Sequence, residues 1–302
     1  MKCPIEFSLV NNAPVVKYTS PNRKFGNLRE EMNNDAVNCY KAHGPCYLAF
    51  SSGIDCQAIL RSWLDMNCEI YPFFVNTTNA SELSAVKYAE KFYGIKIKII
   101  DIDINQRRQE YTQLMQLHSF PSMIDYPFYT ASQLLEDSLP VILSGPSEPC
   151  LIGLHDYHGV SIYHNIESVM IMRCKLLEKT RPVIDFPYSC ETLASYYCDD
   201  IMKAYADSSR YFVFNELKKD NQELSATVRY EYYAKPLIKA QYYKRDIFYP
   251  SKQNGTEHHP DWMIPNWSYP EKYRVSAPYL EVVEHLEKCD GSVKEYSKWI
   301  YP

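Results

Sequence analysis

From Leu28 to Tyr40 the apolar residues Leu28, Met32, Ala36, Val37 and Tyr40 recur at helical spacing, and Gly44-Pro45 closes the pattern. An uninterrupted apolar run, Tyr47-Leu48-Ala49-Phe50, follows and reads as a strand. Three small residues, Ser51-Ser52-Gly53, break that run, after which Ile54 to Leu64 resumes helical periodicity. Ile70 to Val75 is a second strand. Asn79 then precedes a helix whose Leu83, Val86, Ala89 and Phe92 share a face, with Glu82 three residues past the cap and Gly94 at the end. Ile95 to Ile102 is a third strand. Strands and helices alternating at this spacing predict right-handed βαβ units and an α/β fold, a doubly wound parallel sheet that binds ligands at the carboxyl ends of its strands.

Further along, Glu110 to Leu117 and Ala131 to Leu135 read as helices, and the proline- and aromatic-rich stretch His118 to Tyr129 between them can line a pocket. Pro140 to Leu143 returns to the sheet and runs into Ser144-Gly145-Pro146-Ser147-Glu148-Pro149, a second strand-to-loop junction that opens beside the first. Cys190 to Tyr205 and Pro278 to Cys289 carry helical patterns, so the C-terminal region is expected to be mainly helical. Ile5 to Val10 and Ala13 to Val16 form a hairpin or an irregular arm. The resulting division is an N-terminal arm and helix over 1–44, an α/β core over 45–189 and a C-terminal extension over 190–302.

Composition narrows the class. Hydrophobic residues make up 46% and charged residues 23% of the 302, both in the globular range, and no apolar run is long enough to cross a membrane. The first residues lack the pattern of a secretory signal, so a cytoplasmic location is expected. A net charge of −5 disfavours broad affinity for nucleic acid. None of the ten cysteines stands in a C-x-x-C pair, which makes them reduced, buried small residues rather than a disulfide framework or a zinc ribbon. Cys150, His155 and His158 lack the spacing of a standard zinc set and read as surface or hydrogen-bonding groups. The 27 tyrosines suit amphipathic packing or a broad interface but select no ligand.

The chemistry concentrates at Ser51 to Cys56. A tight loop between a strand and a helix start gathers backbone N–H groups where the positive end of the helix dipole adds to them, an arrangement suited to phosphate or pyrophosphate. Ser51 and Ser52 add hydroxyls, and Gly53 admits a close backbone approach. Asp55 places a negative charge beside that anion. Either a Mg²⁺ ion lies between them, or Asp55 is a first-turn acid complementing the dipole with Ser51 or Ser52 as the cap. Glu148 is a candidate for the opposite side of such a metal, and equally a solvated residue in a proline-rich turn. Lys235, Lys244 and Lys252 are lysines able to stabilise developing charge, and Lys252 is the preferred candidate.

Ser51-Ser52-Gly53-Ile54-Asp55-Cys56 resembles the pyrophosphate loop S-G-G-x-D-S of the ATP pyrophosphatase families. Ser52 replaces the first glycine and matters only if that position needs a positive φ or a side-chain-free approach, and Cys56 replaces the last serine with a poorer donor. The order of the pieces resembles the synthetase domain of asparagine synthetase over residues 28 to 260. Leu28-Arg29-Glu30-Glu31 and Ala36-Val37 are similar to the helix before that family's loop, and Leu143-Ser144-Gly145 to its L-S-G-x-G-x-D-E, of whose acidic pair only Glu148 remains. Glu178 to Asp185 is similar to a slipped E-x-R-x-P-F-L-D, and Tyr249 to Gln253 to the region of its catalytic lysine.

The resemblance implies an adenine-nucleotide alpha hydrolase-like fold and an ATP-dependent, AMP-forming amide ligase. A carboxylate attacks the α-phosphorus of ATP, pyrophosphate leaves, and ammonia or an amine displaces AMP. Ser51, Ser52, Gly53 and Cys56 would hold pyrophosphate, Asp55 and Glu148 Mg²⁺, and Phe50, Val75, Ser144 and Gly145 would border the nucleotide, with Lys252 catalytic. Only 50 residues precede the loop and Lys2 precedes Cys3, so no glutaminase activity is expected, and nitrogen comes from ammonia, an amine or a protein partner. Two other readings stay open. One is a degenerate fold with a binding or structural role, alone or as a homo-oligomer; the other is a nucleobase- or tRNA-modifying enzyme, marked by a basic, aromatic-lined groove.

Overall fold

In the computed structural model, residues 4–11, 13–77, 80–118, 126–143, 150–153, 160–165, 176–184, 188–204, 235–248 and 274–297 are described. Two strands, β1 (Ile5–Val10) and β2 (Ala13–Thr19), form an antiparallel hairpin in which Val10 faces Ala13. Asn11 turns it at φ +52, a conformation that two-residue hairpin loops require and asparagine tolerates. Helix α1 (Leu28–His43) starts at Asn27, whose side chain accepts from the Glu30 amide while the Glu30 carboxylate accepts from the Asn27 amide. Gly44, at φ +71, ends it by donating to the Tyr40 carbonyl. Leu28, Met32, Ala36 and Cys39 are its buried stripe.

Strands β3 (Cys46–Ala49), β4 (Ile70–Asn76), β5 (Lys98–Asp101), β6 (Val141–Ile142) and β9 (Val183–Ile184) form one parallel sheet in the order β5-β4-β3-β6-β9. The alternation of side chains along β3 explains the two layers around it. Cys46, Leu48 and Phe50 join a core with Ala36 and Met32 of α1, with Ile59 and Trp63 of α2 (Ile54–Asp65), and with Val86 and Ala89 of α3 (Ala80–Tyr93). Tyr47 and Ala49 point the other way, into a core with Phe73, Val75, Val141 and Leu143 that also receives Ala131 of α5 (Tyr126–Gln133). Helices therefore cover both faces, as a doubly wound sheet requires. Helix α4 (Arg108–His118) precedes α5, and Tyr111 and Tyr126 stack at 5.5 Å between them.

The C-terminal region is less uniform than its periodicity predicts. Helices α6 (Cys190–Tyr197), α7 (Lys235–Tyr243) and α8 (Tyr279–Leu286) are present, α7 running into a 3₁₀ turn over Lys244–Asp246. Strand β10 (Arg274–Pro278) pairs with β8 (Val160–Asn165), which pairs with β7 (Cys150–Gly153) in an antiparallel sheet. Strand β11 (Val293–Tyr296) crosses back to pair with β2, so the N-terminal hairpin and the C-terminal end share one sheet. Among the described residues no helix is long and apolar enough to cross a membrane.

Two junctions tie the helices together. Arg29 of α1 bonds Asp65 at the end of α2 at 2.5 Å and Asp246 at 2.6 Å, with its guanidinium 5.2 Å from the Tyr243 ring. Asp35 of α1 is buried at the start of α6, where its Oδ2 accepts from the Ser189 amide at 2.7 Å and the Thr192 hydroxyl at 2.6 Å. Its Oδ1 has no hydrogen-bond partner among the described residues. Burial pushes this carboxyl up to about 6, against the pull of those two donors.

Candidate functional site

The sheet order fixes where a ligand crevice lies. From β3 the chain moves outward through β4 to β5, then returns to the other side of β3 for β6 and β9. Its direction reverses between β3 and β6, and loops leaving the carboxyl ends of two such strands part to open a crevice. Ser51 to Gly53 is the loop leaving β3, and α2 begins at Ile54 immediately after it. The loop's place follows from strand pairing: Phe50 still donates to the Phe73 carbonyl at 2.8 Å, and the ladder ends there.

Within the loop, Ser51 is exposed and Ser52 is buried. Ser52 takes φ +58, a left-handed conformation, so the condition under which its replacing glycine matters is met. Such a residue with a Cβ costs about 1 kcal/mol relative to glycine, so something must hold it. That group is Gln57, fully buried in the first turns of α2, whose Nε2 donates to the Ser52 carbonyl at 2.6 Å. The same Nε2 donates to the Phe248 carbonyl at 2.8 Å, and Gln57 Oε1 accepts from the Phe248 amide at 2.9 Å and the Tyr93 hydroxyl at 2.8 Å. Gln57 thus behaves as a piece of backbone joining the loop to the chain that follows α7.

Gly53 is the N-cap of α2 at φ −62, with no side-chain capping bond. Among the described residues a Cβ at this position would meet only Ser51 Oγ, at 3.4 Å. Neither conformation nor internal packing therefore demands glycine at 53, and its missing side chain leaves space above the helix start. Cys56 is buried and donates its thiol to the Gly53 carbonyl at 3.0 Å, which turns that donor toward the loop's own backbone.

Asp55, in the first turn of α2, is held by Lys239 of α7, whose Nζ donates to Asp55 Oδ1. The Lys239 side chain is 1% exposed and that of Asp55 18%, so the pair is shielded on the lysine side and reaches solvent on the acid side. The ammonium also lies 5.9 Å from the Tyr196 ring, a cation–π contact. Helix α7 is fixed in this position by a 2.7 Å contact between Tyr243 Oη and Ser62 Oγ, both buried, and by Asp246 on Arg29. Both readings of Asp55 weighed in the sequence place it next to positive charge, and an ammonium supplies that charge here.

Of the other candidate residues, Phe50 and Val75 are buried beneath the carboxyl ends of β3 and β4, on opposite sides of the sheet, since Phe50 joins one core and Val75 the other. Ser144, Gly145, Glu148 and Lys252 lie outside the described residues, as do His155 and His158. Within Glu178 to Asp185, Arg181 is buried and donates to the carbonyls of Asp137 at 2.9 Å, Leu139 at 3.3 Å and Leu135 at 3.2 Å, and to that of Ser132. Its work is to close the carboxyl end of α5, and Asp185 is outside the described residues.

The fit of a magnesium ion turns on Asp55. One of its oxygens carries the Lys239 ammonium, and Glu148, the other expected ligand, lies outside the described residues. A divalent cation at Asp55 would share its carboxylate with that ammonium. Lys239 and Gln57 were not among the sequence candidates. Gln57 stands inside the apolar face of α2, between Cys56 and Ala58, and Lys239 falls beside Ile238 and four residues before Tyr243, positions where a polar side chain must find a partner. The chain matches no protein-family model and no curated protein.

Proposed function

We propose that the protein is an ATP-dependent, AMP-forming ligase of the ATP pyrophosphatase type, with an adenine-nucleotide alpha hydrolase-like core. The observation that carries this reading is the position of Ser51 to Cys56: a tight loop at the amino end of α2, leaving the sheet where strand order reverses. Backbone N–H groups and the helix dipole at that point favour the pyrophosphate of a nucleotide. Ser51 is exposed, its hydroxyl resting 3.7 Å from the Cys56 sulfur and able to turn to a ligand, and Gly53 leaves room for an oxygen to approach the backbone. The reaction is attack of a carboxylate on the α-phosphorus, with pyrophosphate leaving and ammonia or an amine then displacing AMP from the acyl-adenylate. Bound pyrophosphate would be oriented by the loop, whose Ser52 conformation is held by Gln57.

The test is incubation of the chain with Mg-ATP and a panel of carboxylates, with and without ammonium, while pyrophosphate and AMP are followed. Carboxylate-dependent release of pyrophosphate is the expected result. Nucleotide binding without turnover on any carboxylate would instead favour the second reading, a fold that keeps the site and has lost the chemistry. That reading has its own support: Cys56 turns its thiol onto the Gly53 carbonyl, where the resembled loop has a hydroxyl. Glutamate release from glutamine is not expected.

A further inference from the structure

We propose that the cation serving the Ser51 to Cys56 loop is the Lys239 ammonium, so that the loop takes a pyrophosphate group without a divalent metal at Asp55. This rests on the reading of the loop as a polyphosphate site. An acid in the first turn of α2 opposes any anion at the helix start unless a cation offsets it. Lys239 supplies that cation from a helix 184 residues away in sequence. Its side chain is sealed from solvent, at 1% exposure, so the ammonium has no bulk water to turn to if it leaves Asp55.

The helix that carries it cannot retreat cheaply. Tyr243 is anchored on Ser62, Asp246 on Arg29, and both backbone groups of Phe248 on the Gln57 amide, so the lysine is fixed from both sides of the loop's own helix. A magnesium ion demands near-octahedral oxygen ligands at about 2.1 Å, and at this carboxylate it would have to displace or crowd a buried ammonium. With Asp55 and Lys239 cancelling, the exposed Ser51, the open space over Gly53 and the dipole of α2 are left to face an anion.

The experiment is calorimetry of sodium pyrophosphate on the full chain, in EDTA and in magnesium chloride. The native protein should bind in EDTA with an affinity within about threefold of that in magnesium. Lys239→Met exposes the Asp55 charge, so binding in EDTA should fall by about tenfold or more, and magnesium should restore it by taking the vacated carboxylate. The double variant Lys239→Met with Asp55→Asn carries neither charge. It should bind in EDTA about as the native chain does and gain nothing from magnesium. Native binding that appears only with magnesium would overturn the inference and leave the polyphosphate reading standing. A double variant as weak in EDTA as Lys239→Met alone would also overturn it, because neutralising Asp55 would then not be the lysine's role. Absence of binding in either buffer would sink the polyphosphate reading itself, and the inference with it.

Discussion

Asp55 and Asp35 are two carboxylates placed at the starts of two helices, and the chain handles them in opposite ways. Among the described residues Asp35 at α6 accepts only from neutral donors, the Ser189 amide and the Thr192 hydroxyl, and burial raises its carboxyl to about 6. Asp55 at α2 meets a lysine brought across from α7. A helix junction that only has to hold together manages with hydroxyl and amide donors, as α1 and α6 do. Bringing a buried ammonium to the other site is a costlier arrangement, since desolvating two charges consumes much of what their attraction returns. The difference teaches that the acid at α2, a helix start that opens from the sheet's switch point, is matched by a cation rather than by neutral donors.

The largest effect should come from breaking that contrast at Lys239. Lys239→Met leaves the Asp55 charge without its ammonium and should cost about 4 kcal/mol in urea unfolding. Adding Asp55→Asn should return stability to within about 1 kcal/mol of the native chain. A single variant as stable as the native protein would mean that the pair is solvated, and that Asp55 is no different from a surface acid.

Asp35 supplies the next. Its folded-state value, about 6, lies above the ordinary 3.8, so the native state holds the proton more tightly than the unfolded chain does. The sign follows: this group favours folding most when protonated, and stability falls as pH rises from about 4 to about 6, by about 3 kcal/mol in all. Asp35→Asn keeps an oxygen for Ser189 and Thr192 and removes the charge. Its stability relative to the native chain should therefore climb across that window and stay level above it. A flat difference between pH 4 and 7 would show that Asp35 is ionised throughout.

Smaller effects sharpen the picture of the loop itself. Ser52→Gly relieves the +58° conformation and should stabilise the protein by about 0.5–1 kcal/mol, read as a raised midpoint in urea. Gly53→Ala should change stability by less than about 0.5 kcal/mol, because φ is −62 and the new Cβ meets only Ser51 Oγ. Pyrophosphate affinity should nevertheless fall in that variant, since the methyl group occupies the approach to the helix start. Loss of stability with unchanged affinity would reverse the assignment of that space to a ligand.

What could be read from sequence divides along the same line as locality. The helix over 28–43 with its glycine stop, the strand before Ser51, and the alternation through Asp101 follow from patterns within a few residues, and the parallel core agrees with them. Ser52 was legible only as a question, because replacing glycine matters when the backbone there is left-handed, and only the fold shows that it is. The pairing of β11 with β2 was not legible, since it joins the two ends of the chain and leaves no local trace. Nor was the partner of Asp55: 184 residues separate it from Lys239, and 191 separate Gln57 from Phe248. The sequence left Asp55 either beside a metal or as a first-turn acid facing the helix dipole, and its contact with Lys239 came only with the fold.

The claim that Ser51 to Cys56 is the anion-binding element can be tested residue by residue through the backbone amides. In ¹⁵N-labelled protein titrated with sodium pyrophosphate in EDTA, the amide resonances of Ser52, Gly53, Ile54 and Asp55 should shift together and saturate along one binding curve. Amides at the start of α6, around Ser189 to Thr192, should not move. Saturable shifts that bypass residues 51–56, or equal shifts at the two helix starts, would contradict the account.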